Sequence, residues 1–321
     1  MTKRRLGKTD IEITPIGLGC WQLAQGGSAM GRFWSQLTSA QIAEIVGTAL
    51  KGGIGWFDTA EIYGNGSSER SLSASLEGLG VKPGSVVVAT KWFPLFRTAR
   101  SIGATIDTRI ACLGRYPVDL HQIHQPLSFS PVPAQMREMA KLLRAGKIRS
   151  IGVSNFSARA MEAAHAALAA EGIPLASNQV RFNLLDRRIE SNGTLEAAKR
   201  LGVTIIAYSP LAQGVLSGRF HQDPGSAAKI STMRRMMGRL GAASLARSRP
   251  LVEELVAIGR AHGVSASQVS LAWTVRFHGD SVVAIPGASR PEQAEQNAAA
   301  GELALSPKDL ARINELSRAA G

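Results

Sequence analysis

Residues 55–72 read GWFDTAEIYGNGSSERSL. The stretch continues a short apolar run, Ile54-Gly55-Trp56-Phe57, which has the length and content of a buried strand. The run stops at a carboxylate, Asp58. A polar loop carrying Tyr63 follows, then a turn at Gly64-Asn65-Gly66, then Ser67-Ser68-Glu69-Arg70 opening a helix. An α/β barrel presents its catalytic groups at the C-terminal ends of its strands, where this stretch would place an acid and a tyrosine. In isolation Asp58 fits a turn-capping carboxylate as well as a catalytic one. The later strand ends decide between the two.

Working outward, residues 4–14 read as a hairpin and 16–20 as a first barrel strand. Gly17 and Gly19 open like a dinucleotide fingerprint, but the third glycine and the immediate helix are missing. Further strands are expected at 54–58, 86–90, 118–124, 149–153, 176–182, 203–207 and 281–285. Helices are expected at 39–51, from 67, at 100–114, 136–143, 157–170, 191–201, 250–262, 266–277, 291–299 and 307–319. Strict alternation of strand and helix implies a parallel sheet with right-handed crossovers. Eight such units in one chain predict a closed (β/α)8 TIM barrel, an α/β fold with an N-terminal β-hairpin and extra C-terminal helices. The runner-up is an open doubly wound sheet. Residues 1–321 are expected to form a single barrel domain.

The chain has 321 residues, 45% of them hydrophobic, ample for a large core. No apolar run is long enough to span a bilayer, and the basic N-terminus lacks the hydrophobic stretch of a signal peptide. Cys20 and Cys112 are the only cysteines and form neither a disulfide framework nor a metal-ligand pattern; no metal is expected, and a cytoplasmic location fits. The net charge of +13 fits nucleic acid, an anionic surface or an anionic cofactor as partner; no nucleic-acid-binding motif accompanies it, so nucleic acid is not expected.

The polar residues at the strand ends are Asp58, Tyr63, Lys91, His124, Ser154-Asn155, Gln179 and Tyr208. Alternation along 118–124 puts Gln122 and His124 on one face and His121 on the other. The segments GWFDTAEIYGNGSSE, ATKW, His124-Gln125-Pro126, GVSNF, AYSPLAQGVLSG and IPGASRPEQAEQN match, in order and spacing, those of the aldo-keto reductase superfamily. The resemblance covers essentially the whole chain. It is nearest to the branch with bacterial aldo-keto reductases and the potassium-channel β-subunits.

The resemblance implies reduction of a small-molecule carbonyl, an aldehyde or ketone, to an alcohol. Tyr63 would be the general acid, Lys91 and Asp58 would tune it, and His124 would orient the carbonyl oxygen. An ammonium beside a phenol favours the phenolate, so Lys91 is expected to lower the pKa of Tyr63.

The resemblance also implies NADPH/NADP+ as cofactor, with NADH weaker. Ser154, Asn155 and Gln179 match residues that bind the nicotinamide carboxamide, and Tyr208 matches a ring stacked on the nicotinamide. Leu211, Gln213, Ser217 and Arg219 match the segment around the pyrophosphate. Gly287, Ser289, Gln293 and Asn297 match the 2′-phosphate and adenine contacts at a helix N-terminus. Arg290 adds a charge suited to a phosphate, and Gln296 stands where a Glu is common. Trp21, Asp58 and Ser209 complete the expected cofactor contacts.

Trp21, Trp34, Trp92 and Phe93 are candidates for an apolar substrate pocket. Residues 224–252 carry Lys229, Arg234, Arg235, Arg239, Arg247 and Arg249 and no acid, and read either as a basic surface loop or as a clasp over the pyrophosphate. A redox-sensing or regulatory NADP(H)-binding subunit is the rival function. Oligomeric state stays open.

Overall fold

The computed structural model describes residues 1–26, 36–223, 225, 236 and 240–321. Strands β3 (Leu18–Gly19), β4 (Trp56–Asp58), β5 (Val87–Trp92), β6 (Leu120–Ile123), β7 (Ser150–Ser154), β8 (Leu175–Arg181), β9 (Thr204–Tyr208) and β10 (Val282–Ala284) pair in sequence order, all parallel. The sheet closes on itself. Ile16 bridges Ala284 and Gly19 bridges Gly287, with Gly17 N donating to Ala284 O at 2.9 Å and Ala284 N to Pro15 O at 2.9 Å. Sequential order and closure make the fold the barrel that the alternation predicts, and they exclude the open doubly wound sheet.

Gly17 serves closure and not a nucleotide. A Cβ there would come within 2.3 Å of the Trp56 ring, so the glycine makes room for the indole that fills the barrel interior.

Between the strands run α1 (Ser39–Lys51), α2 (Ser67–Gly78), α3 (Arg100–Leu113), α4 (Val132–Arg144), α5 (Ala158–Ala169) and α6 (Thr194–Leu201). After β9 come the short α7 (Arg219–Gln222), then α8 (Ala242–His262) and α9 (Ala266–Arg276), and after β10 come α10 (Pro291–Ala300) and α11 (Pro307–Ala320). Their starts have local causes. Thr38 caps α1 and Ser265 caps α9, each in a reciprocal box with the Gln three residues on. The two largest departures from the expected boundaries are helix starts. Helix α4 begins at Val132, because Pro131 and Pro133 suit a helix entry. Helix α8 begins at Ala242 and carries Pro250 in its interior, where a proline would more often mark a start.

Two apolar layers result. The larger lies between strands and helices; the smaller fills the barrel with Trp56, Ala89, Leu120, Ile206 and Val283. The hairpin of β1 (Arg4–Arg5) and β2 (Glu12–Ile13) seals the lower end, setting Leu6, Ile11 and Ile13 against that inner layer. Of the basic segment, Met236 is 75% exposed, while Lys229, Arg234, Arg235 and Arg239 lie outside the described residues, as do Trp34 and the clasp reading. Among the described residues no helix is long and apolar enough to cross a membrane.

Candidate active site

Strand alternation sends Trp56 and Asp58 into the barrel and Phe57 to the helices. Asp58 pairs in register with Ala89, so Lys91, two residues further along β5, points into the same space. Its Nζ donates to Asp58 Oδ1 and, at 2.8 Å, to the Thr59 carbonyl, and both side chains are fully buried. Lys91 Nζ sits 5.1 Å from the centroid of the Tyr63 ring. The ring stacks on Trp21 at 5.8 Å and meets His124 edge-on at 5.7 Å. The four residues expected from three strand ends are thus brought together at the C-terminal mouth.

The loop that presents Tyr63 is tied down. Glu61 N donates to Lys91 O at 3.2 Å, and Ser68 N to Tyr63 O at 3.2 Å. The Thr59 hydroxyl donates to Ser68 Oγ at 2.8 Å, which in turn donates to Cys20 O at 2.6 Å. Arg97 crosses the rim from Glu61 to Thr105, while its carbonyl accepts from Phe129 N. Neither Arg97 nor Glu61 stands out in the sequence, since a rim ion pair has no spacing signature.

Lys91 acts on Tyr63 in the expected direction, but burial sets the net shift. Burial pushes the Tyr63 phenol up from its ordinary value, and Lys91 opposes this without reversing it, so Tyr63 is a neutral phenol at neutral pH. The sequence reveals the ammonium but not the enclosure by Trp21, His124 and the Lys91 stem. Burial pulls Lys91 down, but Asp58 and then Tyr63 more than offset it, and the net direction is upward. His124 is held well below its usual range, by burial first and then by Lys91, so its imidazole is neutral. A neutral imidazole has one N–H to donate and one lone pair to accept.

Asp58 has further partners. Its Oδ2 accepts from Gln122 Nε2 at 3.0 Å and from Gln179 Nε2 at 2.8 Å. Gln179, expected on the nicotinamide amide, therefore faces the carboxylate, and Gln122 is a site residue that the sequence reading placed on the right face and gave no role. His121, on the other face, is buried near Arg109, and burial takes it down to about 4. Behind β5, burial lifts Glu69 to about 7 against the pull of Arg109 and the Thr90 hydroxyl.

The expected cofactor residues lie at the ends of β7 to β10. Asn155, Ser209, Ala212 and Gln213 all have left-handed backbones, at φ of 61°, 50°, 48° and 58°. Such strain in non-glycine residues gathers at functional sites. Tyr208 Oη donates to Asn155 Oδ1 at 3.0 Å, and Asn155 Nδ2 donates to Ser154 Oγ at 3.0 Å. Leu211 and Ser217 are half-buried and Arg219 is exposed at the start of α7. Gln213 donates to Ser209 Oγ at 3.2 Å, while its Oε1 is buried with no partner among the described residues. At the start of α10, Ser289 N donates to Gln293 Oε1 at 2.8 Å, Asn297 Nδ2 to Gly287 O at 3.4 Å, and Arg290 is the exposed N-cap residue. Gln296 turns elsewhere, accepting from the Ser265 hydroxyl.

Of the pocket candidates, Trp21 and Phe93 face the mouth through Tyr63 and His124. Trp92 does not. Alternation points it to the helices, where it is fully buried and donates to Ser101 Oγ at 3.1 Å.

Comparison with known proteins agrees with this architecture. The family model described as "Aldo/keto reductase family" matches residues 15–318. An uncharacterised oxidoreductase of Mycobacterium bovis is 38% identical over 314 residues, 96% of this chain and 90% of that protein. The solved glycerol dehydrogenase of Gluconobacter oxydans is 25% identical with a TM-score of 0.80, over 99% of this chain and 95% of the other. An aldo-keto reductase of Klebsiella pneumoniae, solved in complex with NADPH, is 25% identical with a TM-score of 0.73, over 98% and 95% of the two chains.

Proposed function

The chain belongs to the aldo/keto reductase family and is an oxidoreductase; from that premise we propose that it reduces an aldehyde or ketone to an alcohol with NADPH, Tyr63 giving the proton. The observation that carries this reading is the chain from buried Asp58 through buried Lys91 to the half-buried Tyr63 ring, with a neutral His124 at its edge. NADPH, when bound, supplies the hydride that makes the new C–H bond.

The protein's own residues handle the proton. Tyr63 Oη transfers its proton to the carbonyl oxygen as that bond forms, which completes the alcohol and leaves a phenolate. Lys91 faces that developing charge, and Asp58 keeps the ammonium oriented. His124 offers a second hydrogen bond to the carbonyl oxygen, and solvent reprotonates the phenolate. In this reading residues 1–321 act as one domain.

The residues fit the cofactor. The Tyr208 ring, the left-handed residues Ser209, Ala212 and Gln213, and the opening of α10 suit in turn a flat ring, a pyrophosphate and a 2′-phosphate. The Klebsiella neighbour's complex supports the same choice.

Steady-state oxidation of NADPH with a panel of aliphatic and aromatic aldehydes and ketones tests the proposal. Saturable turnover upholds it; tight NADPH binding with no turnover across the panel would point instead to a cofactor-sensing subunit. In the same assay, the double variant Ser289→Asp/Arg290→Ala should raise the KM for NADPH about tenfold or more and leave that for NADH within about twofold, because only NADPH carries the 2′-phosphate. Equal losses for both cofactors would assign these residues to adenine or to folding.

A further inference from the structure

The ring of bonds around Asp58 holds one member without an assigned task. Gln122 Nε2 and Gln179 Nε2 both donate to Asp58 Oδ2, and Gln179 Nε2 also reaches Gln122 Oε1 at 3.4 Å, so the carboxylate and the two amides close on one another. All three are buried. Around them the barrel wall is apolar, with Leu120 and Ile206 close by, and an amide there costs free energy unless it is bonded. The neighbouring strand makes room for it. Gly152 of β7 stands in register with Gln122, and a Cβ at that glycine would come 3.0 Å from Gln122 Cγ and 2.5 Å from Ser177 Oγ. Gly152 is not among the left-handed residues, so the position requires space and not a glycine conformation.

We propose that Gln122 is a positioning residue for carbonyl reduction: it holds Asp58, and through Asp58 and Lys91 it sets Tyr63, including when Gln179 turns to a bound cofactor. The proposal rests on the reading of Tyr63 as proton donor. The difference between the two amides carries it. Gln179 ends its strand pair beside Ser154, where a nicotinamide amide would compete for its hydrogen bonds. Gln122 pairs with Lys91 and Gly152, deeper in the barrel, and faces no such competitor. With Gln179 drawn away, Gln122 is the remaining neutral donor on Oδ2. Without it the carboxylate is less well solvated and claims more of the Lys91 ammonium. Less positive field then reaches the phenol, and Tyr63 becomes a weaker acid.

The other titratable groups facing this pair are Tyr208, His124 and Cys20. Tyr208 pushes Tyr63 the same way as Asp58, His124 is neutral, and burial holds the Cys20 thiol protonated.

The test is Gln122→Met in the full-length protein, read by tyrosinate absorbance during a pH titration with and without NADP+. Subtracting the same titration of a Tyr63→Phe variant isolates Tyr63 from Tyr116 and Tyr208. We expect the Tyr63 midpoint to rise by ~0.5 pH, kcat to fall about two- to threefold and the KM for NADPH to stay within about twofold. An unchanged midpoint and kcat with only a lower melting temperature would make Gln122 a packing residue and overturn the proposal. Should the Met variant not fold, the nearly isosteric Gln122→Glu replaces it. As a neutral acid its hydroxyl can donate to Asp58, and once ionised it repels Asp58, so its activity relative to the parent should recover as pH falls. A flat ratio from about pH 5 to about pH 9 would overturn the proposal. If the parent itself turned nothing over, the absorbance titration would still decide: a raised midpoint upholds the coupling while the reductase reading fails, and an unmoved one ends both.

Discussion

Tyr63→Phe lowers kcat for carbonyl reduction at least about a hundredfold, the usual scale for losing a positioned acid, while NADPH affinity stays within about twofold. The phenyl ring keeps the stack on Trp21 and the edge contact with His124, so only the proton is removed. The loss should appear in kcat because the hydroxyl acts on charge that exists only in the transition state. Stopped-flow binding and steady-state rates on the same preparation separate the two effects. A variant retaining more than about a tenth of the activity would assign the proton to another group.

The pH profile of the parent follows from the same residues. Tyr63 must be protonated to act, and burial holds its pKa above the ordinary phenol value, so the rate should fall only on the alkaline side. His124 is already neutral well below its usual range and contributes no limb between about pH 6 and about pH 8.

Lys91→Met has the second large effect, with two components. Removing the ammonium leaves the developing phenolate without its counter-charge, and kcat should fall about a thousandfold. Tyr63 should also titrate at higher pH, since the one group opposing its burial is gone. Breaking a buried pair by deleting one partner commonly destabilises by about 3–5 kcal/mol. Here Gln122 and Gln179 still donate to Asp58, so the melting temperature should drop without the fold being lost. Circular dichroism distinguishes this from unfolding. A folded Met variant within tenfold of the parent's kcat would remove Lys91 from the mechanism.

The barrel was legible in the sequence because buried parallel strands are short β-branched runs and their helices begin at polar caps such as Thr38 and Ser265. Asp58, Lys91 and His124 were legible because alternation and strand ends fix where they point. What was hidden depends on neighbours far apart in sequence. Gln122 meets Asp58 across 64 residues and Gln179 meets it across 121, and no local pattern encodes either contact. The sign of the Tyr63 shift was hidden for the same reason: the sequence names the charge beside the phenol but not the rings that partly cover it. Trp92 was misplaced by attending to residue type over strand parity.

The hairpin that seals the lower end also dictates when the molecule can be finished on the ribosome. Arg4 Nη1 donates to Val282 O, 278 residues later, and Gly7 N donates to the Thr204 hydroxyl, 197 residues later. At translation rates of about 5–20 residues per second, the first strand waits roughly 15–60 s for its last partner to be synthesised. Until then Leu6, Ile11 and Ile13 have no barrel to enter, and the edges of β3 and of the newest strand remain unpaired. Contacts of such sequence separation are also slow to form. The nascent chain is therefore most exposed to aggregation at its beginning, and the residues that terminate that exposure are among the last to be made.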